Sequence, residues 1–429
     1  MITRTLRMAA IVICASLVYE AMASDPEVEV RIIPSRVEAV VSHVGPYAGL
    51  SSTFVELLDW IEKYGWYPVE RGVGVYHDDP TAVPAKKLRS DARIPVNVYG
   101  KLLPATDPGA ENAHLERSEP RLVIAALHKG PYDKVLPTIS MLFLKMSSLR
   151  LKPDGSEREV YLNDPSDTPP EELLTEVQLP VKIRGKADIG IYSDWGAFGK
   201  GIEAASLCFT AAGLTVTPIK AREINDGSFA KKIRVLYMPG GWAAHYARDI
   251  NDKGALAIED FVEKGGGYIG ICAGSFYAAK EIIWANQSWP YDIDLFPGKP
   301  SGPIKTIAPW PRYATAKTKM HVDHPITAGG PETRTTLYYG GPVLLPEKDS
   351  VRGKAVSVLA HLELTGDPVM VAFSKGKGRV FLSAVHIEYD LTSTADHSAW
   401  PENEKGIDDP ECDWDLLQSA ARWVLGKKK

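Results

Sequence analysis

The feature that most restricts the fold of this 429-residue chain is that part of it is written twice. Gly45-Pro46-Tyr47 recurs as Gly130-Pro131-Tyr132, and Val75 to Val96 recurs as Val160 to Val181, both at an offset of 85 positions and without a gap. In the longer pair Val75-Tyr76 matches Val160-Tyr161, Asp79-Pro80 matches Asp164-Pro165, and Pro95-Val96 matches Pro180-Val181. Each copy opens with an apolar strand (Ala39 to Val44; Leu122 to Leu127) that runs through the Gly-Pro-Tyr turn into a helix (Phe54 to Lys63; Ile139 to Ser147). A second strand, an Asp-Pro turn and a last strand follow (about Ala92 to Val96; Glu176 to Val181). In the first helix Val55, Leu58 and Ile61 recur at three-residue spacing and are expected to face the sheet. Two such βαββ units can pair their sheets around one pseudo-twofold cleft.

These residues resemble a known family. Gly130-Pro131-Tyr132, Val160 to Pro165 and Glu171 to Val181 are similar to the GyrI-like domain, the effector-binding part of some AraC- and MerR-type regulators, over roughly residues 28–183. The resemblance implies a small-molecule cleft between the repeats, with aromatic walls and a glutamate near its floor, suited to cationic or amphipathic compounds. It places Glu176 at that glutamate's position and Tyr161 at an aromatic one. Their counterparts in the first copy are Asp91 and Tyr76. A carboxylate among aromatic rings attracts a cation by charge and by the ring quadrupole. The alternation in Thr175-Glu176-Val177-Gln178 also allows Glu176 to be an ordinary solvent-facing strand residue.

From Ala187 onward short apolar strands alternate with helical stretches, which argues for a doubly wound, flavodoxin-like parallel sheet over residues 186–429. The fold class is thus α+β followed by α/β. Val235 to Met238 ends at Pro239-Gly240-Gly241, and the strand Tyr268 to Ile271 runs straight into Cys272. Gly270-Ile271-Cys272-Ala273-Gly274, followed by helix-compatible residues, has the form of a nucleophile elbow with sulfur in place of oxygen. A helix start behind the cysteine favours thiolate and offers backbone N–H groups to an oxyanion, which makes Ala273 the first donor and Gly241, after the preceding strand, the second. Downstream, Val380 to Ala384 is a strand leading into Val385-His386-Ile387-Glu388. Residues two apart in an extended segment point to one side, so Glu388 can orient the His386 ring while that ring takes the thiol proton.

This triple resembles the class I glutamine-amidotransferase-like superfamily, and Gly265 to Ala279 with Tyr338-Tyr339-Gly340-Gly341-Pro342 is most similar to its biotin-protein-ligase N-terminal subgroup. The resemblance carries catalytic roles onto Cys272, His386 and Glu388. Two departures limit it. Glutaminase subunits follow the cysteine with Gly-His-Gln, where this chain has Gly274-Ser275-Phe276, and it contains no basic glycine-rich adenylation loop, so neither glutamine nor biotin is implied as a substrate. The resemblance implies a cysteine hydrolase acting on an amide or related C–N bond, with a non-catalytic small-molecule-binding protein as the alternative.

The rest of the sequence bounds these readings. Arg4 and Arg7 precede the apolar stretch Met8 to Tyr19 and Ala21-Met22-Ala23, the pattern of a secretory signal cleaved after Ala23. About a dozen apolar residues fall short of a membrane-crossing helix, so an extracytoplasmic protein without a membrane span is expected. Cleavage leaves Cys208, Cys272 and Cys412, an odd number, so at least one thiol stays unpaired. Cys208 reads as a core residue. A net charge of −5 without an internal basic run argues against nucleic acid as a partner. His321-Val322-Asp323-His324 fits a turn ahead of a strand better than a metal site, because a third separated ligand is missing, and no cofactor is expected. The expected partner is a small molecule.

Overall fold

The structure is a computed structural model that describes residues 27–97, 112–347, 356–388 and 412–426. The expected leader, residues 1–23, lies outside the described residues. Among those residues no helix is long and apolar enough to cross a membrane. The chain divides into two compact units at Arg184 and Gly185, with Ile32–Pro34 grouped with the second.

In the first unit the two copies share one antiparallel sheet with the central order Arg121–Lys129, Leu174–Ile183, Glu157–Tyr161, Val73–Tyr76, Arg89–Asn97, Val37–Val44. The copies join where Val73–Tyr76 pairs with Glu157–Tyr161, with Gly74 opposite Glu159 and Val73 opposite Val160. Positions 74 and 159 are 85 apart, so the pseudo-twofold axis passes through that cross-strand pair. Each Gly-Pro-Tyr turn is fixed in the same way. His43 and His128 sit 3.2 Å from the carbonyls of Pro46 and Pro131, and their other ring nitrogens meet Thr53 and Thr138.

One sequence expectation fails here. Helix Leu50–Lys63 turns Leu50, Leu57, Trp60 and Ile61 into the core, while Val55 and Leu58 are exposed. The helix begins earlier than the periodicity suggested, and Trp60, packed 5.1 Å from Trp66 and 5.4 Å from Tyr64, sets the buried face. An indole buries more apolar surface than the valine and leucine left outside, so it decides the rotation.

The second unit is built on a nine-stranded sheet. Five strands are parallel, in the order Val216–Ile219, Ala187–Tyr192, Ile233–Met238, Gly267–Ile271, Gly378–Ser383. Their side chains are almost wholly buried, as expected where helices cover both faces. Beyond Gly378–Ser383 the sheet continues antiparallel through Pro368–Lys375, Val356–Leu362, Ala314–Met320 and Thr333–Tyr338. The change follows connection length: helical crossovers permit parallel pairing, whereas the tight turn at Gly376-Lys377 allows only a hairpin. Helix Asp252–Glu263 is capped by Asn251, whose side chain accepts from the Gly254 N–H at 3.0 Å.

Candidate functional site

Cys272 stands at the carboxyl end of the parallel strand Gly267–Ile271, between that strand and the short helix Ala273–Tyr277. Its φ of 49° and ψ of −102° lie outside the ordinary regions for a side-chain-bearing residue, a strain of about 1–3 kcal/mol that packing must impose. Three contacts impose it. The Cys272 N–H donates to Ser383 O at 2.8 Å, the Gly274 N–H to Pro239 O at 3.1 Å, and the buried Ser275 hydroxyl is shared between Gly270 O and Ser383 O. Ser275, where glutaminase subunits carry histidine, thus ties the elbow to its own strand and to the adjacent strand Gly378–Ser383.

His386 and Glu388 follow the adjacent strand Gly378–Ser383 and are almost completely buried. His386 Nδ1–H donates to Glu388 Oε1 at 2.8 Å. The His386 N–H is held by Leu337 O, and the Trp414 indole donates to Glu388 O at 2.8 Å, so both side chains sit on a fixed backbone. Burial works against an imidazolium, but the Glu388 carboxylate first and then the Cys272 sulfur outweigh it and push His386 up to about 10. The thiol also donates to Tyr339 O at 3.4 Å. The structure therefore brings together all three side chains that the sequence singled out. A positive ring beside sulfur is the arrangement that supports nucleophilic thiolates.

The two expected oxyanion donors flank the same sulfur's strand. No acceptor among the described residues takes the N–H of Gly241 or of Ala273. Gly241 has a φ of +133° and pairs with Ala197 in an isolated antiparallel bridge, while Tyr246 OH braces the loop through Pro239 O and Gly240 O. Sequence reasoning missed Gly240. A Cβ there would stand 2.5 Å from His386 Cε1, so a bare backbone is what lets the ring approach.

Cys208 is completely buried and Cys412 exposed. Burial raises the Cys208 thiol well above its ordinary range. In a limiting iodoacetamide titration at neutral pH, peptide mapping is expected to find Cys208 unmodified, and Cys272 alkylated several-fold faster than Cys412. His386→Ala should remove that lead. Equal rates at Cys272 and Cys412 would remove the case for an activated thiol.

The first unit holds a second candidate site. Tyr76 and Tyr161, repeat counterparts, meet hydroxyl to hydroxyl at 2.6 Å. The Gly-Pro-Tyr tyrosines line up behind them, with Tyr47 edge-on to Tyr76 at 4.8 Å and Tyr132 edge-on to Tyr161 at 5.2 Å, and Phe54 closes the far side of Tyr161. The carboxylate among these rings is not the expected one. Glu176 forms a two-pronged ion pair with Arg31 at 2.7 and 2.8 Å, which neutralises it, and its counterpart Asp91 is tied to Ser42, His77 and Arg93. Glu159 instead accepts from Tyr76 and Tyr161 at 3.1 and 3.3 Å. Its first-copy counterpart is Gly74, where a Cβ would lie 2.5 Å from the Tyr161 hydroxyl. Next to a pseudo-twofold axis two equivalent side chains would collide, so one copy keeps the acid and the other gives way to glycine. That mismatch at positions 74 and 159 is the sequence signal that could have found it.

Burial pushes the Glu159 carboxyl up to about 7, against the two tyrosine hydrogen bonds. The folded state therefore favours the neutral acid. Its contribution to stability is complete below about 4.5 and is lost as pH rises through about 7. Glu159→Gln is accordingly expected to raise the urea midpoint of the first unit's transition at about pH 8 and to leave it unchanged at about pH 4. A lower midpoint at the higher pH would show that the charged form is better accommodated than its surroundings suggest.

His321 Nε2 lies 2.7 Å from Nδ1 of His361. Among the described residues no group of three histidine, cysteine, aspartate or glutamate side chains could hold a metal ion.

Comparison with known proteins divides the chain in the same order. The family model described as "Biotin-protein ligase, N terminal" matches residues 188–411, and the one described as "GyrI-like small molecule binding domain" matches residues 26–182. A biotin–protein ligase of Schizosaccharomyces pombe is 25% identical over 190 residues, 41% of this chain and 29% of that protein. A DNA gyrase inhibitor of Salmonella typhimurium is 30% identical over 105 residues, 24% of this chain and 59% of that protein. The chain thus spans less than a third of the first relative's length and under two thirds of the second's. A solved structure described as a glutamine amidotransferase aligns with a TM-score of 0.38 and 15% identity, covering 56% of this chain and 98% of its own.

Proposed function

This chain belongs to the family of the biotin-protein ligase N-terminal domain and carries a GyrI-like small-molecule-binding domain ahead of it, and from that premise we propose that it is an extracytoplasmic cysteine hydrolase of amide or related C–N bonds. The observation that carries the proposal is the strained Cys272 beside a His386 ring that Glu388 holds and charges. Cys272 Sγ, having already given its proton to His386 to form a thiolate–imidazolium pair, attacks the substrate carbonyl carbon. The oxyanion is received by the N–H groups of Gly241 and Ala273. His386 returns its proton to the leaving amine as the C–N bond breaks, which leaves a thioester on Cys272. Water, deprotonated by His386, then releases the acid and restores the thiol. Glu388 keeps Nδ1 protonated and the ring aligned throughout.

The test is to trap that thioester. Incubation with activated acyl esters and amides, quenched in acid, should give the acyl mass adduct on the Cys272 peptide alone. Adducts spread over Cys412 and lysines, with none at Cys272, would end this reading. Location outside the cytoplasm rests on the leader-like segment Met1 to Ala23, and a mature chain beginning at Ser24 is what it requires.

For the first unit the supporting observation is Glu159 inside a five-ring aromatic cage, and its proposed ligand is a hydrophobic cation. Affinity of the full chain for a probe such as tetraphenylphosphonium is expected to rise between about pH 6 and pH 8 as Glu159 ionises. Glu159→Gln should cost at least about tenfold at pH 8 and flatten the pH dependence, while Glu176→Gln leaves both unchanged. A loss specific to Glu176→Gln would transfer the role back to that residue.

A further inference from the structure

The rings around Cys272 form a continuous ladder drawn from separate segments of the second unit. Trp310 is its hub. Tyr339, whose carbonyl accepts the thiol, stacks on Trp310 with centroids 5.0 Å apart and 24° between planes. Trp242, the residue after Gly241, meets Trp310 edge-on at 5.3 Å, and Trp284 meets it edge-on at 5.6 Å. Outward from Trp242 come His245, at 6.3 Å and 30°, and then Trp195, at 5.9 Å and 21° from His245. Trp195 is 46% exposed and Trp242 49% exposed, so the ladder runs from the thiol's surroundings into water.

Core packing does not explain that placement. Indoles that complete a core are largely buried, whereas contiguous exposed apolar surface marks a place where something binds. We infer that this ladder is the subsite for the non-reacting part of the substrate, and that this part carries a planar aromatic ring. The inference rests on the acyl-transfer reading of Cys272 for the identity of the reacting bond, but not for the binding itself. The half-exposed indoles of Trp195 and Trp242 offer faces and edges against which one more aromatic ring can stack or meet edge-on, the two geometries that ring pairs prefer. The ladder supplies indole, imidazole and phenol groups and no carboxylate or carboxamide, the side chains that a sugar's hydroxyls would call on. His245 Nδ1 is buried with no hydrogen-bond partner among the described residues.

The test separates binding from turnover. With the intact Cys272→Ala protein, calorimetric titration should show N-benzoylglycinamide binding at least about tenfold more tightly than N-acetylglycinamide, and Trp242→Leu should erase the difference. With the unsubstituted protein, cyanomethyl phenylacetate should be hydrolysed with kcat/KM about tenfold above that of cyanomethyl cyclohexylacetate, chiefly through KM. Because Trp310→Ala would disturb packing, Trp310→Phe serves as the second variant and should reduce the preference in part. If the benzoyl compound binds in this manner but no ester or amide is turned over, the aromatic subsite stands and the acyl-transfer reading fails. If esters are turned over with no preference for the planar ring, or with a preference that survives Trp242→Leu, the subsite is overturned and the reaction stands. Binding of chito-oligosaccharides in place of benzamides, lost in Trp242→Leu, overturns the assignment of an aromatic ligand.

Discussion

Replacing Cys272 with alanine is expected to reduce amide or ester turnover to the background rate, a loss on the order of 10⁴- to 10⁶-fold, because the covalent step has no other nucleophile. Cys272→Ser should be almost as poor. The Cys272 site is arranged around sulfur, with a ring pushed up to about 10 by the carboxylate and the sulfur beside it. A serine hydroxyl keeps its proton far more tightly than a thiol and gains less from a positively charged neighbour. Both variants should fold, since the residue is held through its backbone: the Cys272 N–H is tied to Ser383 O and the Cys272 carbonyl accepts from Ser275 and Phe276. Steady-state kinetics with an activated ester such as p-nitrophenyl acetate, checked by far-ultraviolet circular dichroism, decides the matter. Retention of more than about a tenth of the rate in Cys272→Ala would exclude this thiol as nucleophile. A chelator should leave the rate unchanged, because nucleophile, base and orienting group are all side chains of the chain itself.

Glu388→Gln is expected to lower the same rate by about 10⁴-fold with little change in KM, by the reasoning that applies when the aspartate of a serine triad becomes an amide. The substituted side chain can still meet His386 Nδ1, but it can do so by donating, which selects the wrong tautomer, and it no longer supports positive charge on a fully buried ring. The sign of the accompanying pH effect is fixed by the same contact. The ring lies well above its ordinary value because the carboxylate and sulfur outweigh burial, so removing the carboxylate must bring it down. Proton titration of His386 by NMR should therefore show a lower transition in Glu388→Gln than in the parent protein. A glutamine variant that is as active as the parent, or whose His386 titration is unmoved, would make Glu388 a packing residue only.

How much of this was readable beforehand differs between the two sites for a physical reason. The elbow is a local device. A strand, a cysteine between glycines and a helix start are neighbours in the chain, and His386 and Glu388 lie two positions apart, although the segment expected to be extended leaves the strand at Ser383 and turns after His386, so their 2.8 Å pairing is made by a turn. Residues brought in from distant segments were not readable: Tyr339, whose carbonyl accepts a hydrogen bond from the thiol, Gly240, which admits the ring, and the ladder through Trp310 and Trp242. In the first unit the repeat itself announced a duplicated sheet, and it placed Tyr76 and Tyr161 as counterparts that do meet. It could not say which acid stands between them, because Glu176 and Glu159 sit on neighbouring strands of the same sheet and only tertiary contacts distinguish them. Arg31, 145 positions away, neutralises the first, and burial next to the pseudo-twofold axis gives the second its raised pKa. Sequence alone thus determined the order of domains, the strand and helix periodicities and the chemistry of the Cys272 turn, all of which depend on residues near one another along the chain. The three-dimensional packing decided which buried charges are paired, which face of helix Leu50–Lys63 turns inward and which rings line the way to the thiol, since burial and pairing are properties of neighbours in space.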